Sequence, residues 1–354
     1  MKAPRIVGLD LANAISLPGL FLASYALVLT DQYTKLSGAE YEFSLDIWAA
    51  IYVFASGMIG TIMMRGRNRR SIKQKQHSVR KGVGFLVLGM IITTVWPVNF
   101  LVMLGLCFIL TPWLSLLNSA ILRFLTMAIF LCALLLEFLQ PEWVMPGIVQ
   151  VYADNHLSIL KYVQYLVFSG RYALFPFVAF YIAGMTFARK AFLEKRVARL
   201  NNILALGGIV AGFAFHLLWN NAFSLTPTSI AAEQLPFRLL KIMNLPAFAL
   251  LGVSIPVVVI NVMNYVARHW GHWKLVQAFA KLGAMKHSAY LMHLLLGISV
   301  LWAINHEHFT HYRWLLALSA FAYVSFLILA VVWKKRHNLG PVEWALERLA
   351  GNHE

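Results

Sequence analysis

Long apolar runs recur along the whole sequence, each separated from the next by a short polar or basic stretch. Most of them approach the ~20 residues that a helix needs to cross the hydrocarbon core of a bilayer. We therefore predict an all-α polytopic membrane bundle. Two runs lie close together around Pro97 and predict either a helical hairpin or one broken element. The predicted spans are residues 7–30, 46–64, 82–96, 99–114, 120–138, 172–188, 201–220, 244–264, 288–304 and 313–333.

The basic residues fall mainly on one side of these spans. If the N-terminus is cytoplasmic, most of the 30 lysines and arginines lie in inside segments, above all in 65–81 and 189–199. The positive-inside rule then predicts that both termini are cytoplasmic (N-in, C-in). The predicted outside segments hold Lys35, Lys161, Arg171, Arg238, Lys241 and Arg313.

Composition excludes an ordinary soluble protein. The chain is 60% hydrophobic and 12% charged, whereas soluble domains have roughly 45–50% apolar and about 25% charged residues. The net charge of +16 comes mainly from basic residues of the predicted inside segments. We interpret it as a sign of membrane orientation and expect no nucleic-acid partner. The basic segment 65–81 is expected to contact the anionic lipids of the bilayer. The alternative is that it grips the phosphates of a nucleotide-like donor such as acyl-CoA.

The segments between the spans are too short for a soluble domain. Residues 1–354 are predicted to form a single transmembrane domain, with an uncleaved first helix rather than a signal peptide. Residues 334–354 are predicted to be a cytoplasmic tail with a short amphipathic interfacial helix, "GPVEWALERL". The face expected to lie on the membrane consists of Val342, Ala345, Leu346 and Leu349.

The first apolar run carries Asp10, Asn13 and Ser24. At about 100° per residue they fall on one side of a helix and form a polar stripe. A carboxylate inside a bilayer is costly and faces a partner or a polar cavity. The stripe predicts a pocket or a substrate path. Alternatively, Asp10 is solvated near the inner surface or caps a partner helix.

His293 lies about two turns into the ninth predicted span, at a depth expected to match that of Asp10. An imidazole titrates near neutral pH and suits general acid–base catalysis. A neighbouring carboxylate can orient it and stabilise its cation. We predict His293 as catalytic base with Asp10 as its orienting partner. The alternative is a neutral histidine hydrogen-bonded between helices.

Other candidate site residues lie toward the predicted outer face. His216 and Arg171 can hold an anionic or sugar-like acceptor, or anchor the interface. An outer loop, "NHEHFTH", contains imidazoles that can chelate a divalent metal, although exposed loop histidines are common and we assign no metal site. Those imidazoles belong to His306, His308 and His311.

Several stretches resemble the YeiB-like family of bacterial membrane proteins. They include the tail "LGPVEWALERLAG", "LGAMKHSAYLMH", "RYALFPFVAFYIAGMTFAR", and "RKGVGFLVLGMI" followed by "WPVNFLVMLGL". That family is related to transmembrane acyltransferases, among them heparan-α-glucosaminide N-acetyltransferase and the acyltransferase-3 O-acyltransferases. The resemblance implies a multi-helix bundle of the bacterial cytoplasmic membrane. It also implies transfer of an acyl group from cytosolic acyl-CoA, with no tightly bound cofactor, to a small-molecule or glycan acceptor at the outer face.

The sequence departs from the family pattern at polar positions. Asn13 stands where the family start carries Arg, Ser24 where it carries Asn or His, and Ala284 where the late Gly-Arg-Met carries Arg. One hypothesis is an acyltransferase-like enzyme with His293 as base and with Asn13 and Ser24 lining the path. The missing arginines favour a non-catalytic relative that binds or passes a small hydrophobic or lipid molecule, or scaffolds a partner protein. A small-solute exporter is a third alternative.

Overall fold

A computed structural model describes residues 6–28, 39–64, 72–93, 100–139, 172–190, 195–224, 244–297 and 312–351, together with residues 164, 166, 167 and 299. Within these ranges the chain contains helices and no strand, so the all-α prediction is confirmed. A π-helical turn, His293–Gly297, directly follows the tenth helix. The helices are α1 (Val7–Val28), α2 (Ala39–Met64), α3 (Ile72–Thr93), α4 (Leu101–Leu114), α5 (Ser119–Leu139), α6 (Leu174–Lys190), α7 (Lys195–Ser224), α8 (Asn244–Trp270), α9 (Lys274–Gly283), α10 (Lys286–Met292), α11 (Tyr312–Trp333) and α12 (Pro341–Leu349).

Six described helices contain stretches that are long and apolar enough to cross a membrane, while α4 and α6 are shorter apolar helices. The two predicted runs around Pro97 form separate helices, α3 and α4, in agreement with the hairpin alternative. The prediction of ten spans and of their orientation stays a prediction. The six stretches are Val7–Tyr25, Asp46–Met64, Ser119–Leu136, Arg199–Leu218, Leu245–Trp270 and Arg313–Trp333.

Exposed apolar side chains cover two of these helices. On α5, Phe124 and Met127 are exposed, and on α7 Val210 and Leu204 are exposed. Contact between water and so many apolar side chains on one helix is unfavourable, because the transfer of apolar surface from water to an apolar environment lowers the free energy. A hydrocarbon environment removes that cost, which supports the assignment of these helices to a membrane.

The described chain divides into two compact units, and the boundaries fall within α2 and α8. Unit 1 comprises Met1–Ala55 and Val258–Glu354, and unit 2 comprises Ser56–Val257. The prediction that they form one transmembrane domain stays a prediction. In unit 1, α1 packs against α9, α10 and α11. Its side chains Leu17, Leu20 and Phe21 are fully buried, so α1 forms the core of this unit.

Unit 2 is organised around the close pairing of α3 with α4, and α6 packs on α5 and α4. Glycines let the paired helices approach: a Cβ on Gly105 would lie 2.7 Å from both the carbonyl oxygen of Gly82 and the backbone nitrogen of Leu86. Arg189 of α6 donates hydrogen bonds to carbonyl oxygens at the end of α4, at 3.2 Å for Leu114 and 3.0 Å for Ser115. A helix C-terminus leaves such carbonyls without helical partners, so Arg189 ties α6 to α4.

The tail helix forms where it was predicted, but its buried face differs. Leu349 is exposed, whereas Glu343 and Leu346 are buried. The reason is that α12 packs against α10 and turns the Glu343 side toward that helix. Its placement at the membrane surface stays a prediction.

Replacement of Gly105 by Ala is expected to lower the melting temperature of the purified chain, because the added methyl group meets the backbone of α3. Gly207 of α7 provides the matched control, since a Cβ there has nothing within 4 Å. Alanine is otherwise favoured over glycine in helices by roughly 1 kcal/mol, so Gly207→Ala is expected to leave the melting temperature unchanged or to raise it. Thermal unfolding in detergent measures both. Equal melting temperatures for the two variants would contradict the close pairing.

Candidate functional site

A cluster of buried polar side chains lies within unit 1, where α10 begins. Four helices supply it: α1, α2, α10 and α12. Each of the six side chains is less than a tenth exposed, which is unusual for residues of these types. We call it the buried polar cluster; its members are Asn13, Tyr52, Lys286, His287, Ser288 and Glu343.

The first residue of α10 places an ammonium group inside the protein. Lys286 is 4% exposed. Its Nζ donates a hydrogen bond of 3.1 Å to Oδ1 of Asn13 and lies 4.3 Å from the centre of the Tyr52 ring. A buried cation is costly unless it has such partners, and both an amide oxygen and an aromatic face attract it. Lys286 therefore connects α10 to α1 and α2.

The second residue of α10, His287, also contacts α2. The Nδ1 atom of His287 lies 2.5 Å from the hydroxyl oxygen of Tyr52, a short hydrogen bond, and the two rings meet edge to face with centroids 5.7 Å apart. Tyr52 thus contacts two successive residues of α10 through its ring face and its hydroxyl group.

The third connection joins α10 to the tail helix. The Glu343 carboxylate accepts hydrogen bonds from the backbone N–H groups of His287 at 2.8 Å and Ser288 at 3.3 Å, and from the Ser288 hydroxyl. The Ser288 hydroxyl oxygen accepts in turn from the backbone N–H of Val342 at 3.0 Å. N–H groups in the first turn have no helical acceptor, and the helix dipole favours an anion there. Glu343 therefore caps α10 from another helix.

Two glycines make this assembly sterically possible. A Cβ on Gly340 would overlap the Glu343 carboxylate, and a Cβ on Gly283 would overlap the backbone carbonyl of Asp10. Gly340 begins the "GPVEW" stretch and Gly283 lies in "LGAMKH". The motifs that carry the family resemblance therefore meet around the start of α10.

His293 lies one residue beyond α10, at the start of the π-helical turn, a feature often found at functional sites. Its side chain is completely buried. It stacks on Phe21 with ring centroids 4.2 Å apart, and the rings of Tyr25 and Tyr290 lie at 5.8 and 5.0 Å. Neither ring nitrogen makes a hydrogen bond of standard geometry within the described structure, and the backbone groups of Ala289 and Tyr290 are polar neighbours of the ring.

The expected pairing of His293 with Asp10 is not formed. Lys286 lies beside Asn13, while His293 lies beside Phe21, eleven residues after Asp10 and therefore roughly 16 Å further along α1. The expectation of equal depth was wrong, because α10 meets α1 further along than the apolar pattern suggested. Asp10 itself is partly exposed. The role of His293 as a base stays a prediction.

The other two residues of the predicted stripe are buried as the helical period predicts. Asn13 belongs to the buried polar cluster, and Ser24 donates a hydrogen bond of 3.0 Å to the carbonyl oxygen of Leu20. That bond lies within α1 and occupies the hydroxyl hydrogen. A substrate-binding role for either side chain stays a prediction.

The described part of unit 1 contains neither of the two predicted acceptor-binding residues. His216 is partly buried on α7, in unit 2. Arg171, like the histidines His306, His308 and His311, lies outside the described residues. Where side chains are described, no three His, Cys, Asp or Glu residues gather as a metal site would require.

Sequence reasoning missed five members of the cluster. Lys286 was counted with the inner basic residues, and Glu343 was placed on the polar face of the tail helix. A usable signal exists: the polar triplet "KHS" directly precedes an apolar run, and Glu343 is the third residue after Gly340. The other missed members are Tyr52, His287 and Ser288.

The six long apolar helices indicate the class of helical membrane proteins. Within that class, residues 187–351 match the sequence model of the family described as "Protein of unknown function (DUF418)". The match covers α10 and α12 and confirms the resemblance to the YeiB-like family for this part of the chain. No curated protein matches the chain.

Replacement of Glu343 by Ala is expected to destabilise the chain by roughly 1–3 kcal/mol, because buried N–H and hydroxyl donors then lose their acceptor. Glu347→Ala is the matched control, since it makes the same change on the same helix at a partly exposed position. Melting temperature and limited proteolysis near residue 340 report the effect. If both variants unfold alike, Glu343 does not hold the tail helix.

Proposed function

We propose that the chain is a membrane-embedded acyltransferase-like protein. In this proposal an acceptor hydroxyl or amine attacks the thioester carbonyl of acyl-CoA and loses its proton to His293. The thioester bond breaks, and CoA leaves and is protonated as the free thiol. The acyl group thereby moves from a cytosolic donor to an acceptor at the outer face.

This proposal rests on one observation, the burial and hydrogen bonding of the two ring nitrogens of His293. Both nitrogens are buried and make no hydrogen bond of standard geometry within the described structure. A histidine that only joins helices normally has a partner for at least one nitrogen, since buried polar groups are generally hydrogen-bonded. An imidazole whose nitrogens have no side-chain partner is able to take a proton from an acceptor.

A second candidate function is the binding or passage of a small hydrophobic molecule without chemistry. The rings around His293 favour it, because Phe21, Tyr25 and Tyr290 surround the imidazole and no carboxylate of the described residues hydrogen-bonds to it. The neutral side chains Asn13 and Ala284 at the family's Arg positions favour it too.

We further propose ten spans in the bacterial cytoplasmic membrane, with both termini inside and with anionic lipids bound at the basic segment 65–81. The described contacts agree with this arrangement. Lys286 and Glu343 lie on predicted inside segments and share one cluster, and Arg189 meets the predicted inner end of α4.

His293→Ala is expected to lower acyl transfer by about 10²–10⁴-fold, the usual contribution of a general base. Membrane vesicles that contain the full chain are given radiolabelled acetyl-CoA, and label is counted in the lipid, glycan and small-molecule fractions. His269→Ala, at an exposed histidine of α8, is the control and is expected to retain transfer.

Normal transfer by His293→Ala would overturn the catalytic role of His293. If the unchanged chain transfers no label, mass spectrometry of molecules that copurify with it tests the second candidate. A hydrophobic molecule lost from His293→Ala and kept by His269→Ala would support that candidate.

Fusions of alternating topology reporters are expected to separate ten spans from six. Ten spans place residue 192 inside, residue 230 outside and residue 272 inside, because α6 then crosses the bilayer. Six spans, limited to the long apolar helices, reverse all three positions. Alkaline phosphatase and green fluorescent protein fused at these positions give opposite signals on the two sides. Fusions at residues 36 and 340 serve as controls, since both schemes give them the same side.

A further inference from the structure

A cavity of about 410 Å³ lies within unit 2, between the first turns of α3 and the end of α4. Its volume falls in the range of small-molecule sites, roughly 300–1,000 Å³. One wall is basic and polar, and the other is apolar. The lining residues are Lys75, Gln76, Val79, Arg80, Pro112 and Trp113.

The cavity carries two positive charges that no described carboxylate neutralises. Lys75 and Arg80 both line it, and none of its other lining residues is acidic. Trp113 lines the same cavity and is 58% exposed. Cations beside an exposed indole suit a ligand that has an anionic group joined to a less polar part. Arginine forms bidentate bonds to phosphate, and lysine binds phosphate as a point charge.

Direct contacts between α3 and α4 fix the relative position of the two walls of the cavity. Ser78, between the two cations on α3, donates a hydrogen bond of 2.8 Å to the carbonyl oxygen of Phe108 on α4. One turn later, Gly82 and Gly105 bring the helix backbones together. The cations and the indole are thus mounted on a fixed helix pair, which limits the entropy lost when a ligand binds.

We propose that this cavity binds the phosphate group of an amphiphilic ligand, with Lys75 and Arg80 on the phosphate and Trp113 against the adjoining part. Two sources supply that chemistry: the headgroup of an anionic phospholipid, and a soluble phosphate carrier such as CoA. The proposal sharpens the lipid partner proposed above. It does not depend on acyl transfer at His293.

The test uses the full chain and two probes. Native mass spectrometry of the purified chain measures retention of phosphatidylglycerol against phosphatidylcholine, and calorimetry measures binding of CoA. Lys75→Gln combined with Arg80→Gln is expected to weaken binding of one probe by about thirtyfold. Each basic residue near an anionic group strengthens binding by about fivefold to sixfold, and the variant removes two of them. Added salt is expected to weaken it as well. Trp113→Leu is expected to weaken it less.

Lys73→Gln is the matched control, because Lys73 is exposed on the same helix and does not line the cavity. Loss of phosphatidylglycerol in the double variant but not in Lys73→Gln assigns the site to a lipid. The same pattern for CoA assigns it to a soluble phosphate ligand. If the double variant binds both probes as Lys73→Gln does, the proposal is wrong. It is also wrong if the unchanged chain neither prefers phosphatidylglycerol over phosphatidylcholine nor binds CoA. Equal melting temperatures of the variants establish that folding is retained.

Discussion

The capping of α10 by the Glu343 carboxylate is the contact on which the other contacts of α10 in unit 1 depend. Glu343 accepts hydrogen bonds from two backbone N–H groups at the start of α10. The side chains at the start of α10 contact two further helices. Lys286 hydrogen-bonds to Asn13 of α1, and His287 hydrogen-bonds to Tyr52 of α2. Three consecutive residues of one short helix therefore bind three different helices. A helix of seven residues is marginal alone, so these contacts hold it.

The buried charges explain why the cluster demands so many partners. Lys286 and Glu343 are each less than a tenth exposed, and an isolated ion in an apolar interior is strongly unfavourable. The amide oxygen and aromatic face beside Lys286 offset that cost, as do the donors around Glu343. Such a cluster adds little net stability over apolar packing. Its consequence is geometric, because a shift of one helix along another would leave buried groups such as Lys286 and Glu343 without these partners.

The polar side chains at the start of α10 are hydrogen-bonded to other helices, whereas His293, just beyond its end, lies among aromatic rings. At its start, the cluster occupies the polar side chains of Lys286, His287 and Ser288. Among those rings, neither nitrogen of His293 makes a hydrogen bond of standard geometry in the described structure. The fixed start sets the position of the imidazole along α1. This is why the site proposed for chemistry lies beside Phe21 and Tyr25 rather than beside Asp10.

Local information in the sequence determined the all-helical class, the apolar stretches and the positions of most helices, because apolar runs and their spacing depend on neighbours along the chain. It also identified α12 and the inward burial of Asn13 and Ser24, since helical period decides both. Tertiary structure alone decided that Glu343 is buried, that Lys286 meets Asn13 and that Asp10 does not meet His293. Those contacts join residues far apart in the chain, from 55 positions between Ser288 and Glu343 to 273 between Asn13 and Lys286. They depend on how far one helix slides along another, which the pattern within either helix does not encode.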